Sequence, residues 1–192
     1  MLKELEDYAH ENRVPIMLPD GIEYLCNYIS DNKVKNILEI GSAIGYSAIK
    51  MAMVNDDVRV TTIEKDVSRY NMAVDNIKKF KKDNQIRIIL GDALETEIDG
   101  KFDLIFIDAS KGNNINFFNK YSANLNKYGI IITDNLLFHG LVKNEELIKT
   151  KNQRGIVRKI KEFINFLDNN SDFVTEYIEV GDGLSLSKRI NK

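Results

Sequence analysis

Short, almost wholly apolar runs alternate along this chain with longer segments of helical period. Val34–Ile40, Val58–Glu64, Ile86–Leu90, Phe102–Asp108 and Gly129–Asp134 read as five strands, and cores such as Leu104–Ile107 and Ile130–Ile132 are too continuously apolar to face water on one side. Between them lie predicted helices. Ser47–Val54 follows the first strand, and Val67–Lys82 carries Val67, Tyr70, Val74 and Ile77 on one face. Ile115, Phe118, Ser122 and Leu125 mark a third helix. Ile156, Ile160, Phe163, Ile164 and Leu167 mark a strongly amphipathic fourth. Phe173–Val180 and Leu184–Lys188 flank Gly181-Asp182-Gly183, which signals a closing hairpin. Two amphipathic segments, around Leu2–Asn12 and Asp20–Asn32, precede the first strand and are expected to lie across the open end of the sheet.

Strand–helix alternation of this kind implies a parallel sheet covered on both faces, so the chain is expected to form one doubly wound α/β domain over 1–192, with 1–33 covering the active site and the hairpin adding an antiparallel edge. At 192 residues it can bury a substantial core, and two prolines and eleven glycines leave no long low-complexity linker. Without an apolar run of membrane-spanning length, and with a charged first segment (MLKELEDYAHENRV), the reading is a cytoplasmic protein with no membrane partner. The single cysteine, Cys26, reads as a small buried hydrophobe. A net charge of −2 argues against a strongly basic nucleic-acid binder, although a mean can hide a local patch.

In a doubly wound sheet, ligands bind beyond the carboxyl ends of the strands. Those ends carry Glu39–Gly45, Glu64, Gly91-Asp92-Ala93, Asp108 and Asp134-Asn135, a set dominated by acids and glycines. Gly41 permits a sharp turn and close backbone approach, and Gly45 opens a helix whose N-terminus offers free N–H groups. E-I-G-S-A-I-G is neither the dinucleotide fingerprint nor a P-loop. Glu64 follows at the position where an acid grips ribose hydroxyls. Singly, these residues fit a tight turn and a solvated strand end equally well; together they favour a mononucleoside-like cofactor. An NAD-dependent oxidoreductase on the same architecture lacks its glycine fingerprint here.

ILEIGSAIGYSAIKMA, TIEKD, GDALE, FDLIFIDASKG and GIIITDNLLFHG resemble, in order and spacing, the motifs of the catechol O-methyltransferase-like class I methyltransferases, from about Val14 to the C-terminus. The resemblance implies a Rossmann-like, seven-stranded sheet, S-adenosylmethionine as cofactor, and a homodimer. It places Met17, Gly41, Ser47, Glu64, Asp92, Ala93 and Asp108 at the cofactor, with Glu64 on the ribose, Asp92-Ala93 at the adenine and Met17 over the methionine part. It makes Asp108, Asp134 and Asn135 metal ligands and Lys111 the general base. Three hard oxygen donors without His or Cys suit Mg²⁺, Mn²⁺ or Ca²⁺ rather than zinc, and Mg²⁺ (or Mn²⁺) is the expected cofactor. Taken alone, Asp134-Asn135 also suits a turn, Asp108 a helix cap and Lys111 a surface loop.

VPIM (Val14–Met17), AIGYSAIKMA, ITDNLLFHGLV and VGDGLSLSKR are most similar to the bacterial branch that converts 5-hydroxyuridine in the tRNA anticodon loop to 5-methoxyuridine. tRNA is the expected substrate on that resemblance, with a small catechol or caffeoyl-type phenol as the alternative. Between His139 and Glu162, seven Lys or Arg (143, 149, 151, 154, 158, 159, 161) face three acids, with Arg154, Arg158 and Lys161 at helical spacing. This stripe fits phosphate binding and fits equally a solvated helix face. Lys78, Lys79, Lys81 and Lys82 read as a solvated flank, and His139 is expected at the substrate entrance rather than on the metal.

Overall fold

A computed structural model describes residues 1–190. Two helices, α1 (Leu2–Glu11) and α2 (Pro19–Asp31), lead into β1 (Asn36–Ile40), α3 (Tyr46–Met53), β2 (Arg59–Glu64), α4 (Val67–Lys79) and β3 (Ile86–Leu90). β4 (Phe102–Ile107), α5 (Asn114–Ser122), β5 (Leu125–Thr133), α6 (Lys151–Asp168), β6 (Phe173–Ile178) and β7 (Leu184–Arg189) complete the chain. The seven strands run in the order β3-β2-β1-β4-β5-β7-β6. Pairings are parallel from β3 through β5, and β7 is antiparallel to both of its neighbours.

The sheet is therefore the seven-stranded, mostly parallel α/β layer expected, with the C-terminal hairpin as its antiparallel edge. Within that hairpin β7 inserts between β5 and β6, and β6 takes the rim. The crossover through α6 carries the chain one strand-width too far, and the hairpin turns back to fill the gap.

Period-two alternation along the strands splits the core into two layers. Ile37, Leu104, Phe106, Ile130 and Ile132 face α2, α3 and α4 together with α1. Leu38, Ile40, Ile105, Ile107 and Ile131 face α5 and α6, where Phe118 packs edge-on against Phe163, Phe166 and Phe173. Helix starts are fixed locally. The Asp66 carboxylate accepts from Arg69 N at the head of α4, and Thr150 with Gln153 forms a capping box that opens α6 five residues before its first apolar anchor. Cys26 is half-buried and free, and burial pushes its thiol up, as befits a packing residue. Among the described residues no helix is long and apolar enough to cross a membrane.

Candidate functional site

The parallel strands β1, β2, β4 and β5 end side by side, and the loops that leave them surround a cavity of about 360 Å³. Met17, Gly41, Ser47, Glu64, Asp92, Ala93, Asp108, Lys111 and Asn135 all line it. Of the residues expected at the cofactor, the metal or as the base, Asp134 is the one that does not line the cavity, at 1% exposed; Gly45 and His139 do not line it either.

The first loop is shaped by contacts that admit no side chain. Gly41 sits at φ +95°, and a Cβ there would lie 2.4 Å from the carbonyl oxygen of Asp108. The turn after β1 thus lies directly against the end of β4. Gly45, at φ +83°, precedes the first residue of α3 and packs on Ala73 of α4. Glu64, buried at the end of β2, braces the loop from below: its carboxylate accepts from Ala43 N and Asp66 N, each at 2.9 Å. Each carboxylate oxygen keeps further acceptor capacity toward the cavity. Ser42 is buried in the lining and its hydroxyl has no hydrogen-bond partner among the described residues. On the opposite wall, Asp92 Oδ1 accepts from Leu94 N, and the carbonyl of Ala93 accepts from the Tyr121 hydroxyl at 2.7 Å, which ties this turn to α5. Burial pushes the Tyr121 phenol up to about 12.

Ser47 lines the cavity, but its hydroxyl donates to Glu39 Oε1 at 2.5 Å. Thr62 Oγ1 donates to the other carboxylate oxygen at 2.6 Å. Glu39, wholly buried, therefore joins β1, β2 and α3 beneath the glycine turn, a role that the sequence reading missed. Burial pushes its carboxyl up to about 7, against the two hydroxyl donors, and the nearby charges of Asp108 and Glu64 add to the rise.

At the ends of β4 and β5 the sheet itself sets two carboxylates close together. Asp108 N donates to Ile40 O and Asp134 N to Ile107 O, so both acids continue the strand ladder. Lys111 Nζ stands 3.1 Å from Asp108 Oδ1. Burial, and next the Asp108 charge, hold the Asp134 carboxyl well above the usual carboxylate range, while Lys111 opposes them. Among the described residues its oxygens accept hydrogen bonds only from Asn135, through N at 2.7 Å and Nδ2 at 3.2 Å. Asn135 is left-handed, at φ +63°. Among the described residues no group of three His, Cys, Asp or Glu side chains could hold a metal; the set here is two carboxylates and an amide.

The basic stretch is neutralised in part, four of its seven cations pairing with three acids. Lys143 pairs with Glu179, Lys161 with Glu145, and Arg158 and Lys159 with Glu162. Lys149, Lys151 and Arg154, around the start of α6, have no ion pair among the described residues. In the other lysine cluster, Lys79 bridges to Glu4 of α1, and Lys82 bonds the carbonyl of Ala52. The His139 side chain is 74% exposed.

The O-methyltransferase family model matches residues 1–190. The crystal structure of a Staphylococcus aureus protein provisionally named a caffeoyl-CoA O-methyltransferase superposes with a TM-score of 0.94 at 37% identity, over 98% of this chain and 92% of that one. A Bacillus cereus O-methyltransferase, solved in complex with SAH, superposes with a TM-score of 0.83 at 25% identity, over 98% and 90%. A caffeoyl-CoA O-methyltransferase of Stellaria longipes is 28% identical over 98% of this chain and 83% of that protein.

Proposed function

Because the chain belongs to the O-methyltransferase family, we propose that it transfers a methyl group from S-adenosylmethionine to the hydroxyl of a small phenol that carries a second oxygen next to it, as in a catechol or a caffeoyl ester. The observation that carries this reading is the meeting of Asp108, Lys111 and Asn135 on the cavity that also exposes Gly41, Ser42 and Glu64, with Asp134 behind them. The relatives named for caffeoyl-CoA support the substrate class, and the SAH complex of the Bacillus cereus relative supports the cofactor.

The residues fit both groups. For the cofactor, the cavity offers a glycine turn that a Cβ would obstruct, an unpartnered buried serine hydroxyl and an acid at the ribose position. For a divalent cation, two carboxylates and an amide supply hard oxygens, and the buried Asp134 carboxyl feels the Asp108 charge beside it, which a bound cation would offset. Asp108, Asp134 and Asn135 would hold magnesium or manganese, which supplies Lewis-acid polarisation of paired substrate oxygens. The chain's own part is alignment and proton removal. Lys111 Nζ, as the neutral amine, takes the hydroxyl proton, the oxygen forms its bond to the methyl carbon, and the donor's S–CH₃ bond breaks with its electron pair left on sulfur. Met17, with Pro15 and Ile16 of the segment before α2, lines the cavity, which supports the covering role proposed for the N-terminal segments.

The narrower reading, 5-hydroxyuridine of a tRNA anticodon loop, rests on the four resembling sequence stretches and on the unpaired Lys149, Lys151 and Arg154; it offers the same pair of neighbouring oxygens. The homodimer implied by the resemblance is part of the proposal and is read by sedimentation. Side-by-side turnover of caffeic-type phenols and of tRNA bearing 5-hydroxyuridine distinguishes the two substrates. Methylated phenol with unmodified tRNA is expected. The reverse pattern would move the proposal to the RNA.

A further inference from the structure

Asp108 and Asp134 are held by strand hydrogen bonds, but Asn135 lies one residue past the ladder and takes its place from the loop that follows. That loop is unusual in its backbone. Asn135, Phe138 and His139 are left-handed at φ +63°, +46° and +54°, and Gly140 follows at +80°. Non-glycine residues rarely adopt this region and do so only when their surroundings dictate it.

What dictates it here is the tip of the β6–β7 hairpin. Leu136 N donates to Gly183 O at 3.0 Å and Leu137 N to Asp182 O at 2.8 Å. The Asp182 carboxylate, 5% exposed, accepts from His139 N at 2.5 Å. Gly183, at φ +81°, leaves no space for a Cβ against Leu137, which would approach within 2.6 Å. The tip is itself anchored, since Gly181 N donates to Asp20 Oδ2 at the head of α2. The acid of the hairpin motif thus has a role that its turn geometry does not require. It is buried, it reaches across to another segment, and its hydrogen bond from His139 N holds a left-handed residue four positions beyond Asn135, with the His139 ring 3.9 Å from its other oxygen.

We infer that Asp182 is a positioning residue for the Asn135 corner of the proposed metal site, acting through the His139 backbone. The inference rests on the metal reading above and deepens it. Removing the carboxylate frees the 136–140 turn to relax toward ordinary backbone angles, and Asn135 swings with it, while Asp108, Asp134 and the cofactor loop stay in place.

The test is Mn²⁺ binding by electron paramagnetic resonance, with SAH affinity by calorimetry, on the full chain and its Asp182→Ala and Asp182→Asn variants. Asp182→Ala is expected to weaken Mn²⁺ by roughly ten- to hundred-fold, the range for loss of an outer-sphere partner. SAH affinity should stay within about twofold, and Asp182→Asn, whose amide oxygen still accepts from His139 N, should restore most of the metal affinity. Unchanged Mn²⁺ affinity in Asp182→Ala overturns the inference. So does a parallel loss of SAH, which would mark a general structural role. If the unsubstituted chain takes up no Mn²⁺, the metal reading itself fails and this inference falls with it.

Discussion

Replacing Glu39 by glutamine makes stability report directly on the buried carboxyl beneath the glycine turn after β1. In the fold this carboxyl is wholly buried and its proton is held up to about 7, from an ordinary value of 4.5. Between those two pH values the unfolded chain has released the proton and the folded chain keeps it. The folded state is therefore favoured below pH 4.5, loses stability steadily as pH rises to about 7, and changes no further above it. The gap is worth about 3 kcal/mol in full, of which roughly 2 to 3 kcal/mol falls between pH 5 and pH 8. Glutamine keeps the shape, and its amide can still pair with the hydroxyls of Ser47 and Thr62 after they rotate, but it has no proton to lose. Urea unfolding of both proteins at pH 5, 6, 7 and 8, followed by circular dichroism, cancels every other titration in the difference. Glu39→Gln should gain on the wild type by that amount as pH rises, about 1 M in midpoint for a domain of this size. A difference that stays constant with pH, or runs the other way, would refute the reasoning.

Other substitutions separate the parts of the site. Glu64→Ala removes the acceptor of two loop N–H groups and should weaken SAH binding at least about tenfold, or roughly 1.4 kcal/mol by calorimetry; unchanged affinity would take Glu64 away from the cofactor. Gly41→Ala drives a methyl group into the Asp108 carbonyl and should lower both melting temperature and SAH affinity, whereas a variant indistinguishable from wild type would mean that the turn yields freely. Asp134→Ala should abolish the magnesium-dependent rise in melting temperature while leaving SAH affinity within about twofold. At magnesium a hundred times its dissociation constant, that rise corresponds to about 2.7 kcal/mol in the wild type; a surviving rise would place the ion elsewhere.

The sheet could be read from sequence because strands buried on both faces are continuously apolar and their helices keep a clean period. Ile105–Ile107 and Ile130–Ile132 leave little choice. The cavity could be read because a doubly wound sheet concentrates its ligand contacts at strand ends, where acids and glycines stand out. What escaped is non-local. Nothing near Phe173 says that β7 will slide between β5 and β6. The count of cations from Lys143 to Lys161 could not register that Glu179, from outside that stretch, would meet one of them. Glu39 did carry a signal, a charge inside N-I-L-E-I, where every neighbour on the sheet is buried, and such a charge requires partners. The start of α6 carried one too, since Thr150 and Gln153 spell a capping box ahead of the apolar stripe.

The central claim is that this cavity performs metal-assisted methylation of a hydroxyl beside a second oxygen. Mass detection of methyl transfer from isotopically labelled S-adenosylmethionine to a catechol, with magnesium, with chelator, and with magnesium restored, tests it most directly. A single labelled methyl on one of the paired oxygens, lost on chelation and recovered with the metal, is the predicted result. Transfer that ignores the chelator, or no transfer to any substrate with neighbouring oxygens while S-adenosylmethionine still binds, would contradict it.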